Sequence, residues 1–402
     1  MSLFSTIAYL LQLWMAIYLV LPFIFLVVYA IKKISHTRYN IDKKTNVHTA
    51  DFDFATIITA HQNTELVPAL IDSLLKQQYG NYLIYVVADD CPDTDLQYDD
   101  PRVIILEPET SLHSKIGSID FAIRHFRRKH DALIILDSDN LVHPRFLSVL
   151  NLYFRKGFRA VQSNLQPKNS DSVFARLDAM GDTFYNFIER EIRMELGLSS
   201  AIWGSGIAIE TELYKQTIYD SMLGGFDKRI QADLVRKIPQ LAFAREAIIY
   251  DEKISNGASL EKQRTRWIHA YFKYLKLGWQ TFTLGLRKFD FNLAFFGFIN
   301  LRPPLFLLFC LAASFCVINY WVKPWLFLTW LSILFLFVFS FLAIIVVKST
   351  NKKTIWSIFF MPVFIVYQLA ALVHIRRARK SFLKTEHHKL IYIEDLVPNE
   401  TV

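Results

Sequence analysis

The sequence predicts an α/β domain, Rossmann-like with a mostly parallel sheet, set between membrane and interfacial helices. Two observations carry this expectation. From about Asp51, short β-branched runs alternate with helix-patterned segments, the order that builds a parallel sheet from strand–helix–strand units. On both sides of that region lie apolar runs long enough to cross a bilayer.

The composition agrees. Of 402 residues, 52% are hydrophobic and 15% aromatic, and the mean hydropathy is +0.23, so part of the chain belongs in lipid. The net charge of +8 does not point to nucleic acid. Its bases cluster beside apolar runs, as in Lys32-Lys33, Lys352-Lys353 and Arg376-Arg377-Ala378-Arg379-Lys380, where they anchor a chain at a membrane surface. The three cysteines, Cys91, Cys310 and Cys316, have neither metal-ligand spacing nor the numbers for a disulfide framework.

Residues 1–31 predict an N-terminal transmembrane helix. Leu3–Ile31 has no charge and no small-residue cleavage pattern, and basic residues follow it, which marks a retained signal-anchor rather than a secretory leader. Residues 32–50 form a basic linker whose Lys32, Lys33, Arg38, Lys43 and Lys44 place the next segment in the cytosol. Residues 51–288 then read as one globular domain. Ala55–Thr59, Tyr82–Ala88, Val103–Leu106 and Ala132–Leu136 are expected strands, with helices near Leu66–Gln77 and Lys115–Arg128.

From Ser172 to Lys288 the pattern is less regular. It offers a helical Val173–Glu195, a Trp203-Gly204-Ser205-Gly206 turn and a basic amphipathic stretch at Glu261–Lys276, expected together to form an acceptor-side lid. Residues 289–376 hold an interfacial helix, Phe291–Leu301, and about three membrane segments, beginning at Leu305, Trp325 and Ile355. Residues 377–402 are a basic tail. Simple alternation puts Arg376–Lys380 on the outer side, against the positive-inside rule. Pro362 within the last segment leaves open a re-entrant or interface-lying course that returns the tail to the cytosol.

Four short elements carry chemistry. Asp89-Asp90-Cys91-Pro92-Asp93 follows a strand, where a carboxylate accepts hydrogen bonds from a base or ribose, although acidic residues there also simply form turns. Asp137-Ser138-Asp139 ends the strand Ala132–Leu136 and offers hard oxygen ligands for Mg²⁺ or Mn²⁺ on a diphosphate. The alternative is a cap by Asp139 or Asn140 on a helix starting near Pro144. In Gly225–Leu234, Asp233 is expected to open a helix, either as a general base or as its cap, with Asp227 beside it. In Gln263-Arg264-Thr265-Arg266-Trp267, residues 263, 266 and 267 share one helical face, offering Arg266 to a diphosphate and an indole to a sugar. An interfacial helix with its Trp at the headgroups gives the same pattern.

In this order and spacing the four elements resemble family 2 of the glycosyltransferases, in the membrane-integrated branch with cellulose, chitin and hyaluronan synthases and ceramide glucosyltransferase. The resemblance covers about Asp51 to Trp267 and implies a GT-A fold. It implies that His61, Gln62, Asp89, Asp90, Lys115, Asp137 and Arg266 bind the nucleotide sugar. Asp139, helped by Asp137, holds Mg²⁺ or Mn²⁺, and Asp233 is the general base. Trp203, Gly204, Ser205, Gly206, Gln263, Arg264 and Trp267 line the lid over donor and acceptor. Two positions depart from the pattern: Ala232 stands where an acidic neighbour of the base is usual, and Gln62-Asn63 where Asn-Glu is usual.

The expected activity is inverting transfer from a nucleotide sugar, a UDP-sugar by preference, to a membrane-associated lipid or glycan acceptor with a β-linkage. A processive synthase that also translocates its polymer is the alternative. Partners are the donor, the acceptor and membrane lipids, with no nucleic acid, and the protein belongs to a plasma or inner membrane with its catalytic domain cytosolic. A transporter would carry several ionisable groups inside its spans, where only Arg302 and His374, near segment ends, come close.

Overall fold

The computed structural model describes residues 3–91, 96–217, 226–349, 352–375 and 389–398. Pro92, Asp93, Gly225 and the basic run Arg376–Lys380 lie outside the described residues.

Helix α1 (Leu3–Ile34) precedes a sheet of eight strands. Strands β1 (Phe54–His61), β2 (Tyr82–Asp89), β3 (Val103–Leu106) and β4 (Ala132–Asp137) run parallel in the spatial order β3-β2-β1-β4. Of these, β1, β2 and β4 are mostly apolar and almost wholly buried because helices cover both faces. Alternate residues go to opposite cores. Ile58, Ile84 and Ile134 meet α2 (Val67–Leu75); Ile57, Tyr85 and Ile135 meet α3 (Lys115–Arg124). Helix α4 (Phe146–Arg155) joins the first core.

The second half is not the irregular lid its pattern predicts. Strands β5 (Leu141–Val142), β6 (Ala160–Pro167), β7 (Ile207–Glu210) and β8 (Ala242–Asp251) extend the same sheet as β4-β7-β6-β8-β5. β7 is antiparallel to both β4 and β6, while β6 and β8 are parallel. The strand β6 escapes a hydrophobicity search because its sequence, AVQSNLQP, is half polar. Gln162 and Ser163 are nevertheless buried, since both bond to the loop that leads into β7.

Helix α5 (Val173–Asn186) starts where Ser172 accepts the Ala175 N–H, and a π-helical turn, Phe187–Glu191, carries it into α6 (Ile192–Glu195). The short α7 (Thr211–Lys215) and α8 (Phe226–Lys237) pack beneath the sheet through Leu213, Ile230 and Leu234. Asn256 caps the long α9 (Gly257–Lys288). The chain reverses at Phe289, in the left-handed region at φ 52°, into α10 (Phe291–Asn300). Gly285 and Gly297 let α9 and α10 touch backbone to backbone, where any Cβ would collide. Leu293 and Phe296 of α10 join the core under the sheet, which fixes the apolar helices to the catalytic layer.

Helices α11 (Leu305–Val322) and α12 (Pro324–Lys348) form a hairpin joined only by Lys323 and pack with α1 through Met15, Leu19, Trp330 and Phe337. In this apolar bundle Gln12 Oε1 accepts from Asn319 Nδ2 at 3.0 Å and Trp330 Nε1 at 2.7 Å, so these buried polar groups satisfy one another. Then follow α13 (Lys352–Trp356), a 3₁₀ turn (Ser357–Phe360) and α14 (Met361–Val373). Among the described residues four helical runs are long and apolar enough to cross a membrane: Ser5–Ile34, Leu305–Val322, Pro324–Lys348 and Lys353–Val373.

Candidate active site

Parallel pairing sets the strand ends side by side, with His61 opposite Asp89 and Thr59 opposite Asp137. Ligands bind beyond such carboxyl ends. His61 Nδ1 lies 3.1 Å from Asp89 Oδ2, and Asp89 Oδ1 accepts the Leu112 N–H at 2.7 Å. Both oxygens of this buried carboxylate are therefore engaged in holding the loops. Asp90 is exposed, at φ 53°, and accepts from Gln62 Nε2 at 3.2 Å. Gln62 also lies in the left-handed region, at φ 61°, so two strained residues line the first loop.

Lys115 opens α3 and reaches over the sheet edge. Its ammonium pairs with the Asp137 carboxylate and donates to the Gly204 carbonyl at 2.6 Å. The Trp203–Gly206 turn is held from below. Trp203 N–H donates to Gln162 Oε1 at 2.8 Å, Ser205 Oγ accepts the Asp137 N–H at 3.0 Å, and Ser205 and Asn140 side chains bond to each other. Gly206 takes φ +65°, and a Cβ there would strike Ser163 and Ile249, so only glycine fits.

Asp139 is buried, and its carbonyl accepts from Lys168 Nζ at 3.1 Å. Burial lowers the pKa of Lys168 against the opposing pull of Asp139, Glu252 and Asp251. Neither Asp139 nor Asn140 caps α4, whose cap position is Arg145 and has no side-chain cap bond. The cap alternative for this cluster therefore falls.

On α8 the two carboxylates face different surroundings. The helix already runs from Phe226, so Asp233 lies in its interior and does not open it as expected. Asp233 Oδ2 accepts from Arg229 Nε at 3.1 Å, and its charge acts on Arg236, which bonds to Thr281 of α9. Asp227, six residues earlier and so roughly 120° around the helix, is in the first turn. Its charge, with that of Asp137, acts on Arg266, whose guanidinium burial pulls below the usual range. The charges of Asp137 and Asp227 both oppose the lowering of the Arg266 pKa by burial.

The Gln263–Trp267 motif lies in the second and third turns of α9. Gln263 is buried and Trp267 exposed. Arg264 pairs with Asp178 of α5 and stacks over Trp267, 4.2 Å from its centroid, so it braces α9 against α5.

Neither Lys168 nor a second charged group under the turn was among the residues expected from the sequence. Arg190 and Arg193 are fully buried, with Glu189 paired to Arg302. Burial would raise the Glu189 carboxyl, but Arg302, Arg193 and Arg190 together hold it at about 2. The alternation Glu189-Arg190, then Arg193, along a helix facing the domain interior was the available signal.

Asp89, Asp137 and Lys115 gather beyond the carboxyl ends of neighbouring strands, where sheets of this kind bind ligands. Residues 51–270 match the glycosyltransferase like family 2, more than half of the chain, and the chain belongs to that family. It is an enzyme of class EC 2.4 with a GT-A type sheet and long apolar helices. No curated protein matches the sequence. Similar solved structures include a mannosyltransferase, PcManGT, from Pyrobaculum calidifontis in complex with GDP-Man and Mn²⁺. It is 14% identical over 84% of this chain and 99% of its own, with a TM-score of 0.47. S. aureus TarS 1-349 is 14% identical over 56% of this chain and 65% of its own, TM-score 0.40. GalNAc-T7 with UDP, GalNAc and Mn²⁺ is 15% identical over 51% of this chain and 44% of its own, TM-score 0.40.

Proposed function

We propose that this glycosyltransferase moves one sugar from a UDP-sugar to a lipid acceptor in the membrane, with inversion to a β-linkage, on the cytosolic face of a plasma or inner membrane. The observation that supports the proposal is the gathering of Asp89-Asp90, Asp137 and Lys115 at the carboxyl ends of neighbouring strands, on a domain fixed to apolar helices.

Gln62 and Asp90 line the nucleotide end of the site, and His61 and Asp89 hold that loop. Two carboxylates, Asp137 and Asp139, suit Mg²⁺ or Mn²⁺, and diphosphate oxygens would complete the shell. Among the described residues no three His, Cys, Asp or Glu groups are arranged to hold a metal unaided. Held by Asp137 and Asp139, such an ion would supply positive charge against the leaving diphosphate. Lys115, now paired with Asp137, and Arg266 add positive charge to the same oxygens.

Inversion needs one base on the face opposite the leaving group. The motif offers Asp233, which accepts from Arg229 at 3.1 Å, for that role, and Asp227 in the first turn of the same helix is the second candidate. The turn Trp203–Gly206 and Trp267 border the acceptor.

Single transfer is favoured over processive synthesis because α1, α11 and α12 pack directly on one another around Met15, Leu19 and Trp330, with Gln12, Asn319 and Trp330 satisfying each other. A translocating enzyme would need a polar path there. Incubation of the detergent-purified protein with a panel of nucleotide sugars, Mn²⁺ or Mg²⁺ and membrane lipid extract tests the function. Release of UDP with one labelled lipid product is expected; a ladder of lengthening glycan would overturn single transfer.

A further inference from the structure

The run Lys353–Val373 has the length and apolarity of a membrane span, yet its contacts are not those of a crossing helix. Near its start, Ser357 Oγ accepts from Arg176 Nε at 2.7 Å, in the first turns of α5. At its middle, Tyr367 lies edge-on to Phe174, 5.4 Å between centroids, and so close to Gly257 that no Cβ fits there. At its end, His374 Nδ1 is 2.6 Å from Glu261 Oε1, near the start of α9. Ala371 packs with Ile268 and with Phe306 in the first turn of α11. From residue 357 to 374 a helix covers about 25 Å. A helix crossing the bilayer would leave the catalytic domain at one end, whereas this one touches it along its whole length.

Two further contacts fix the sides. Lys348, the last residue of α12, donates to Glu191 at 2.7 Å and to Tyr29 at 2.9 Å, so α12 ends against the domain that α11 left. Beyond residue 388 the chain is again on the domain. Lys389 N–H donates to Glu252 at 3.0 Å, its ammonium lies 2.5 Å from Asp171, and Ile393 packs against Ala69 of α2 and Leu141 of β5.

We propose that the chain crosses the membrane three times, through α1, α11 and α12, and that α13–α14 is a monotopic helix lying in the leaflet beside the catalytic domain. Its occupant is lipid. Trp356, Phe359, Val363, Val366 and Val373 are exposed and continue the apolar belt of Phe335, Phe339 and Val346 on α12. This course puts Lys32, Lys33, Lys348 and Lys353 on the domain side and leaves Lys323 at the opposite turn, as the positive-inside rule requires. It also has a use. Phe364 of α14 lies 5.7 Å from the Arg264 guanidinium, which stacks over Trp267. A lipid acceptor held in this leaflet therefore meets the edge of the site without entering the bundle. That last step rests on the proposed lipid acceptor; the topology does not.

The test uses the full-length protein in sealed vesicles, with Cys91, Cys310 and Cys316 replaced by serine or alanine and one cysteine returned at a time. Ser35→Cys and Leu390→Cys, both at exposed positions, should react with an impermeant maleimide from the same side, and Lys323→Cys from the other. A spin label at Val366→Cys should report a depth near the headgroups, while one at Phe339→Cys reports the acyl interior. Labelling of positions 35 and 390 from opposite sides, or a depth at 366 equal to that at 339, would overturn the proposal. Reaction of all three cysteines from both sides would overturn it together with the membrane assignment, whereas loss of sugar transfer to lipid alone would sink only the acceptor.

Discussion

The Arg190 guanidinium lies over the Trp203 indole, 3.8 Å from the ring centroid, directly beneath the turn that receives Lys115. Arg190 is fully buried and its Nε and Nη2 have no hydrogen-bond partner, and burial lowers its pKa to about 9 despite Glu189 and Asp182. The indole face is thus a main compensation for the charge. Trp203→Leu should cost about 2 kcal/mol for the desolvated cation–π contact, read as a lower unfolding temperature in detergent. A variant that melts with the wild type would show that the stack contributes nothing.

Asp139→Ala should abolish metal-dependent donor binding, because it removes one of two hard ligands from a site that must neutralise a diphosphate. Calorimetry with UDP and Mn²⁺ checks this. Unchanged affinity would leave Asp139 only the structural task of facing Lys168.

Asp233→Asn should remove most sugar transfer, about 10²–10⁴-fold for a general base, while UDP affinity and thermal stability hold, since an amide still accepts a hydrogen bond from Arg229. Asp227→Asn should keep most turnover. Turnover at saturating donor is measured for both on matched preparations. The reverse pattern would move the base to Asp227.

Glu189 balances the buried Arg302, Arg193 and Arg190. Its pKa is depressed from an ordinary 4.5 to about 2, so its stabilisation, about 3 kcal/mol, is complete above the ordinary value and lost as the pH falls toward 2. The unfolding temperature of the wild type should drop across that window. Glu189→Gln should be destabilised at neutral pH by about 3–5 kcal/mol, having left buried arginines without a counter-charge, and should show a flatter acid profile.

Much of the molecule was legible because its signals are local. The strands β1, β2 and β4 announce themselves as apolar runs ending in His61, Asp89 and Asp137, and Gln263–Trp267 keeps its spacing on a helix. The polar strand β6 was not legible, since Gln162 and Ser163 are buried by partners in another segment. Nor was the course of Lys353–Val373, whose composition suits a span as well as an interfacial helix.

By itself the sequence determined the parallel half of the sheet, the carboxylates at its ends and the apolar runs, because periodicity and composition act over a few residues. Only the tertiary structure decided that Asp233 lies within α8 rather than at its start, since that depends on where the helix begins. Only it set Arg190 under Trp203 and kept α13–α14 against Arg176 and Glu261. Those are pairings between residues far apart in the chain, and packing alone brings them together.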